Sequence, residues 1–109
     1  MAEYYVYLLL DPRKFYLPFY VGKGKGDRWQ WHLRESAAKR ETNLLKARTI
    51  QNIRAAGFEP AVMFWATGLA EDDAYAAEAD LIQRFGRRRY DPDGILTNLC
   101  VDARPPDRT

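Results

Sequence analysis

Two short runs of strand-forming residues near the start of the chain constrain its fold more than any other feature. The first run, from Tyr4 to Leu10, contains only tyrosine, valine and leucine, and it ends at Asp11 and Pro12. The second run extends from Phe19 to Gly22. Because the segment DPRKFYLP between them predicts a turn or a longer loop, the two runs are expected to pair as antiparallel strands.

This hairpin is predicted to bring two phenols and a glycine together. Pairing around the centre of the loop places Tyr7 opposite Tyr20. Tyr20 and Gly22 share one face of their strand, opposite Phe19 and Val21, because alternate residues of a strand point to the same side. Two neighbouring phenols suit an active site, although cross-strand aromatic pairs are also common packing units.

The middle of the chain predicts two helices. Asp27 is expected to cap a helix that starts near Arg28, and Gln30 completes a capping box. A second helix is predicted from about Asn43 to Ala56, where the apolar residues follow a helical period. Gly57 is expected to end it, since glycine readily takes up the backbone conformation that closes a helix.

The second half of the chain predicts a third strand and a further helix. The segment AVMFWAT follows Pro60 and is closed by Gly68. Acidic residues at positions 71–73 favour the start of a helix that reaches about Phe85, and LTNL predicts a last short strand or an ordered loop. The order β, β, α, α, β, α predicts an α/β (α+β) fold, a small mixed sheet with helices packed on it.

The length of 109 residues fits one domain, predicted to occupy residues 1–101, with residues 102–109 as a disordered tail. Cys100 is the only cysteine, which excludes an intramolecular disulfide. No window approaches the roughly 18 consecutive apolar residues of a membrane helix, and the first residues lack the pattern of a signal peptide. A cytoplasmic protein with no membrane contact is therefore expected.

Positive charge is concentrated in one part of the chain. Residues 12–56 contain eleven lysines and arginines against three acids, whereas residues 57–109 contain six against ten. A basic segment with interleaved aromatic residues is typical of a protein that binds a polyanion such as nucleic acid. The alternative is a solvated basic helix surface. The glycine and lysine alternation GKGKG at positions 22–26 does not match a nucleotide-binding loop, and it favours close approach of a large ligand.

Arg28 and His32 are candidate site residues because their spacing of four places them on one face of the predicted helix. An anion between a guanidinium and an imidazole would relieve their mutual repulsion. The alternative is that both side chains face solvent.

Glu78 is the most informative candidate. The last helix has an apolar stripe that includes Ala74, Leu81 and Ile82, and Glu78 lies within it. A carboxylate on a buried stripe is unfavourable unless it is paired or bound to a metal. Glu78 therefore predicts a metal-binding or catalytic carboxylate, with a buried ion pair to an arginine as the alternative.

Several of these residues, in this order along the chain, resemble the motifs of the GIY-YIG nuclease family. The matching elements are YVY at positions 5–7, YVG at positions 20–22, Arg28 with His32, Glu78 in AEADLI, and Asn98 in LTN. The segment PFYVGKGKGDR is especially similar to the branch that includes the LEM-3-like nucleases. The first motif departs from the family in having Tyr5 where a glycine is expected, and the segment that joins the two motifs is long.

The resemblance implies a three-stranded antiparallel sheet flanked by helices. It also implies hydrolysis of DNA phosphodiester bonds with one divalent metal, Mg²⁺ or Mn²⁺, held by Glu78. A single carboxylate suits Mg²⁺, which keeps several of its waters. No small-molecule cofactor is implied, and the expected state is a monomer or a transient dimer on DNA.

The resemblance also implies a role for each candidate catalytic residue. Tyr7 would take the proton of the attacking water, either directly or through His32. Tyr20 would orient the water or the phosphate. Arg28 would stabilise the charge that develops on the phosphate oxygens, and Asn98 would fix a neighbouring group.

The expected DNA contacts come from the basic segment and its glycines. Phosphate contacts supply most of the non-specific affinity for DNA, so little sequence preference is expected from a single small domain. The predicted nucleic-acid-binding residues are Gly22, Lys23, Gly24, Lys25, Arg34, Lys39, Lys46 and Arg48.

Two other functions are compatible with the same sequence. One is a nucleic-acid-binding domain without catalysis, for which a core-facing Glu78 would have no use. The other is a protein-interaction domain that uses Trp29, Trp31 and the tyrosines as anchors, for which alternating lysine and glycine would have no use. Within the nuclease interpretation, structure-selective cleavage in repair or in the biology of mobile elements is a further possibility.

Overall fold

The protein is described by a computed structural model that covers residues 3–27, 29–30 and 43–98. Three strands form one antiparallel sheet in the order β2-β1-β3, namely Tyr4–Asp11 (β1), Leu17–Lys25 (β2) and Ala61–Leu69 (β3). Two helices flank the sheet, Leu44–Ala55 (α1) and Glu71–Phe85 (α2).

The predicted three-stranded antiparallel sheet with helices around it is therefore confirmed. The expectation of a mixed sheet was wrong, because within the described residues the named strands pair only antiparallel. A parallel contact occurs as an isolated bridge between Arg87 and Leu96, in the segment predicted to be a short strand or an ordered loop. The predicted tail, residues 102–109, lies outside the described residues.

The hairpin register differs from the prediction by two residues. Tyr7 pairs with Gly22, and Tyr20 pairs with Leu9 instead. One residue of this shift comes from the connection between the strands, which is a short 3-10 helix (Pro12–Lys14) followed by a turn. This connection lets the strands pair as far as Asp11. The other residue comes from a bulge between Leu9 and Leu10, since an extra residue on one strand displaces every later pair.

The sheet has two faces with different partners. We call the face of Tyr5, Tyr7 and Leu9 the tyrosine face; it packs against Ile50 and Ile53 of α1. We call the opposite face, which carries Val6, Leu8 and Val21, the valine face; it packs against Ala74, Leu81 and Ile82 of α2. Because both faces of the central strand are covered, all but one of the residues from position 5 to position 11 are buried.

Phe19 was expected on the face opposite Tyr20, and this expectation was wrong. Both residues contact the cluster on the tyrosine face. The reason is the bulge, which leaves Phe19 without a partner on β1 and breaks the alternation of the strand at that point.

Both described helices begin where the sequence predicted. Asn43 caps α1, because its side-chain oxygen accepts a hydrogen bond of 3.0 Å from the backbone N–H of Lys46. The stripe of α2 is buried as expected, whereas Asp80 and Arg84 lie on its exposed side and form an ion pair of 2.8 Å. A helical turn at residues 29–30 agrees with the predicted helix start near position 28. Within the described residues, no helix has the length and apolar character needed to cross a membrane.

Candidate active site

Tyr7 lies across Gly22 at the centre of the tyrosine face. A Cβ atom at position 22 would collide with the phenol, coming within 2.7 Å of its Cε1 and nearer still to Cζ. The two residues are register partners on β1 and β2, so the ring reaches from the central strand over the edge strand. Tyr7 is fully buried. Glycine is therefore required at position 22, because any side chain there would occupy the space of the Tyr7 ring.

Tyr20 is held between Tyr7 and a buried lysine. The ring centroids of Tyr20 and Tyr7 are 6.4 Å apart, a distance typical of packed aromatic pairs. On the other side, the Nζ atom of Lys46 lies 4.3 Å from the centroid of the Tyr20 ring. This is a cation–π contact. The two phenols predicted to lie together are thus brought together, although they are not register partners.

Lys46 does not lie on the exposed basic surface that the sequence predicted. It is only 1% exposed, and lysine is among the residues least often buried. It also occupies the first turn of α1, where the helix dipole disfavours a cation. Its position does follow the helical period, four residues before Ile50 and seven before Ile53. That spacing could have revealed Lys46 as a core-facing residue.

The strand that carries Tyr20 and Gly22 is fixed by a segment from the end of the described chain. Asn98 accepts a hydrogen bond of 3.0 Å from Val21 N–H and donates one of 2.8 Å to Val21 C=O. Thr97 donates to Phe19 C=O from both its backbone N–H and its hydroxyl, at 2.6 and 2.8 Å. Asn98 therefore holds the backbone between Tyr20 and Gly22.

The same segment is tied to α1. The Asn43 side chain donates a hydrogen bond of 3.0 Å to Thr97 C=O while it caps the helix that carries Lys46. Sequence reasoning missed both Asn43 and Thr97 as site-supporting residues. The two residues are 54 positions apart in the sequence, so no local sequence pattern predicts their contact.

Tyr5, which departs from the family motif, has a structural role. Its hydroxyl donates a hydrogen bond of 2.8 Å to Gly26 C=O and accepts one of 3.2 Å from Trp29 N–H. The Tyr5 hydroxyl thereby links the backbone that precedes position 28 to the backbone that follows it. Four predicted site residues, Arg28, His32, Arg34 and Lys39, lie outside the described residues.

Glu78 is buried as predicted, with only 3% of its surface exposed. It lies on the side of α2 that packs on the valine face, one turn from Tyr75, whose ring is 4.2 Å from Lys23 Nζ. Leu81, one turn further along, belongs to the same cluster as Val21. Glu78 therefore lies on the helix face whose neighbouring residues pack against Val21 and Lys23 of β2.

Glu78 offers one carboxylate, and a single carboxylate suits only a divalent ion that keeps most of its waters. Within the described part of the chain, no group of three or more histidine, cysteine, aspartate or glutamate side chains comes together. A zinc centre made by these residues alone is therefore not supported. A single carboxylate with remaining ligands from water and a phosphate is a common arrangement for Mg²⁺.

Those predicted DNA-contacting residues that the structure describes are spread over more than one surface. Lys23 and Lys25 lie near Tyr4, with Nζ atoms 4.8 and 5.5 Å from its ring centroid, on the valine side of the sheet. Gly22 and Gly24 are buried within β2, so they do not offer an open loop to DNA. Arg48 is exposed on α1, away from the lysines.

Comparison with known proteins identifies the family. The model of the LEM-3-like GIY-YIG domain matches residues 4–93, so the chain belongs to this family. GIY-YIG domains are nuclease domains that act on DNA and generally use divalent metals. Neither a curated protein nor a solved structure matches the chain.

Proposed function

We propose that the protein is a metal-dependent endonuclease that hydrolyses DNA phosphodiester bonds at the Tyr7, Tyr20 and Glu78 site. The observation that carries this proposal is the placement of the buried Tyr7 phenol across Gly22, together with a buried Glu78 carboxylate on a helix that packs against the same sheet. Membership of a nuclease family supports it. A binding domain without catalysis has no need of either arrangement.

Tyr7 is the group that we propose accepts the proton of the attacking water. Because it is fully buried, the water it activates is one enclosed with the substrate and not bulk water. His32 is the alternative acceptor. Tyr20, which is partly exposed, is proposed to hold the phosphate or the water through its hydroxyl, and Lys46 holds the Tyr20 ring from behind.

Glu78 is the residue that would hold Mg²⁺ or Mn²⁺. A divalent ion there would supply positive charge to the scissile phosphate and to the departing oxygen. Arg28 is proposed to stabilise the charge on the non-bridging oxygens, a type of contact worth about 3 kcal/mol or more in other enzymes. Tyr5 supports this arrangement because it holds the backbone on both sides of position 28.

The test is cleavage of supercoiled plasmid with and without Mg²⁺, using wild-type protein and Glu78→Gln. The wild type should nick the plasmid in Mg²⁺ and stop in EDTA, and Glu78→Gln should bind DNA without cutting it. Asp80→Asn is the matched control, because Asp80 is an exposed carboxylate two residues away. Its cleavage should be unchanged.

Four results would each reject a different part of the proposal. Cleavage by Glu78→Gln at the wild-type rate would reject the metal-binding role. Binding of DNA by the wild type without cleavage in any divalent metal would indicate a binding domain. Absence of DNA binding would favour the protein-interaction function. Full activity of Tyr7→Phe would transfer the role of the base to His32.

The proposed site cuts one strand at a time. A monomer should therefore produce nicked circles before linear DNA. Linear product without a nicked intermediate would require two subunits, and sedimentation on uncleavable DNA would then detect the transient dimer.

A further inference from the structure

The run of three arginines at positions 87–89 divides into two parts in the structure. Arg87 is half-buried, lies 4.5 Å from the Tyr90 ring centroid and contacts the Asp91 carboxylate at 3.8 Å. Its backbone N–H also donates a 2.7 Å hydrogen bond to that carboxylate. Arg88 and Arg89 are exposed instead. Of the three arginine side chains, only that of Arg87 therefore stabilises the turn after α2.

Arg88 and Arg89 join Arg48 of α1 around one surface depression. Its other lining residues are Leu44 and Leu45. Arg48 and the two arginines are forty positions apart in the sequence, and they meet because the segment after α2 is tied to α1. That connection consists of the Asn43–Thr97 hydrogen bond and a 2.7 Å hydrogen bond from Arg88 N–H to Leu96 C=O.

Arg88 also lines a second, adjoining cleft. This cleft contains Arg13 and Lys14 from the hairpin connection and extends to Phe19 on β2. Asp11 is the acidic residue in its lining, and Arg13 neutralises it with an ion pair of 2.9 Å. We call the whole surface the arginine surface; its cations are Arg13, Lys14, Arg48, Arg88 and Arg89. Five cations and one paired carboxylate leave a strongly positive surface.

We propose that the arginine surface binds the phosphate backbone of the same DNA molecule that is cut at the Tyr7 and Tyr20 site. This proposal rests on the proposed nuclease function. The surface begins at Phe19, the residue next to Tyr20. Lys23 and Lys25 lie on the other side of the site, at the opposite end of β2. The substrate is thus DNA that extends on both sides of the cut and contacts two separate basic surfaces.

The arginine surface is suited to phosphates for chemical reasons. Guanidinium groups bind phosphate oxygens in a bidentate manner. Among the described residues, no acid forms an ion pair with Arg48, Arg88 or Arg89, in contrast to Arg54 with Glu59 and Arg84 with Asp80. Arg48, Arg88 and Arg89, which are exposed and have no acidic partner within the described part of the chain, therefore gather on one side of it.

The experiment measures DNA binding by fluorescence anisotropy in EDTA over a range of salt concentrations. Each phosphate contact contributes a slope of about −0.9 to the plot of log K against log salt. The double variant Arg88→Gln, Arg89→Gln should flatten the slope by about 1.8, and adding Arg48→Gln should flatten it by about 0.9 more. The variant Arg84→Gln is the control, because that exposed arginine already has an acidic partner. Its slope should match the wild type.

Two outcomes would overturn the inference. One is an unchanged slope and affinity in the double variant, with its thermal unfolding like that of the wild type. The other is unchanged DNA binding together with lost binding of polyglutamate, which would assign the surface to an acidic protein. Because binding is measured in EDTA, the result does not depend on cleavage. A failure of nuclease activity would therefore be recognised separately.

Discussion

The ring of Tyr7 occupies the space that a side chain at position 22 would need. No positive φ angle is recorded at Gly22, in contrast to Gly26, Gly57, Gly68 and Gly86. The glycine is therefore required by the neighbouring phenol and not by its own backbone conformation. This relationship couples the two halves of the family motif to each other.

Gly22→Ala should displace the Tyr7 ring and reduce cleavage by more than about tenfold. Overpacking of this kind typically costs 1–3 kcal/mol of stability, which urea unfolding would measure. Gly68→Ala is the control, because it introduces backbone strain at a φ of 67° with nothing nearby. It should lose about 1 kcal/mol of stability and keep its single-turnover cleavage rate. Equal loss of activity in both variants would mean that general instability is responsible.

Lys46→Met should reduce the single-turnover rate by about tenfold, since the cation–π contact is worth about 1–2 kcal/mol when it is desolvated. Stability should change by less than about 1.5 kcal/mol, because methionine fills a similar volume. The decisive measurement is the same substitution in a Tyr20→Phe background. There it should have little further effect, because the hydroxyl that Lys46 helps to position is already absent. Additive losses would show that Lys46 acts independently of Tyr20.

Tyr5→Phe should lower stability by about 1 kcal/mol, because two hydrogen bonds to partly exposed backbone groups are lost. The larger effect should be on the cleavage rate at saturating DNA, since the bridge across position 28 is removed. Tyr16→Phe is the control, because this tyrosine is 57% exposed in the hairpin turn. Unchanged cleavage by Tyr5→Phe would restrict its role to packing.

The buried Asp11 carboxylate should make stability sensitive to acid. The Arg13 side chain donates hydrogen bonds to this carboxylate, and this holds the pKa of Asp11 below its ordinary value of 3.8. Because the pKa of Asp11 is lower in the folded state than in the unfolded state, the ionised carboxylate stabilises the fold above pH 3.8. This contribution is lost as the pH falls through the pKa of the folded state. Asp11→Asn should therefore cost about 1–2 kcal/mol at neutral pH.

The measurement is urea unfolding of both proteins at neutral pH and at about pH 2, which is well below the ordinary pKa of an aspartate. The difference in the free energy of unfolding should shrink in acid, because the stabilising charge of the wild-type carboxylate is lost as the pH falls through its lowered folded-state pKa. A difference of the same size at both pH values would show that shape, not charge, makes Asp11 important.

The elements of the fold were predictable because their causes are local. Hydrophobic period and turn residues placed β1, α1 and α2 within a residue or two of their observed bounds. The register of the hairpin was not predictable, because it depends on a bulge at Phe19 that no residue type requires. β2 also extends three residues beyond Gly22, since Gly22 is accommodated under the Tyr7 ring and Gly24 lies within the strand.

Candidate-site residues could be predicted where the residue type is unusual at its position or belongs to a known motif. Glu78 interrupts an apolar stripe, and Tyr7 and Tyr20 stand in recognisable tripeptides. The supporting residues Asn43 and Thr97 give no such sequence signal, because they are ordinary polar residues whose partners are distant in sequence. Lys46 was expected on an exposed basic surface because the prediction considered its charge and not its position in the helical period of α1.

The two hydrogen bonds between Asn98 and Val21 also have a consequence for biosynthesis. Their partners are 77 residues apart, so at about 5–20 residues per second the ribosome needs about 4 to 15 s to make the second after the first. During that interval the edge of β2 lacks the groups that hold Tyr20 and Gly22 in place. The backbone between Tyr20 and Gly22 therefore gains these two hydrogen bonds only after Asn98 has been synthesised.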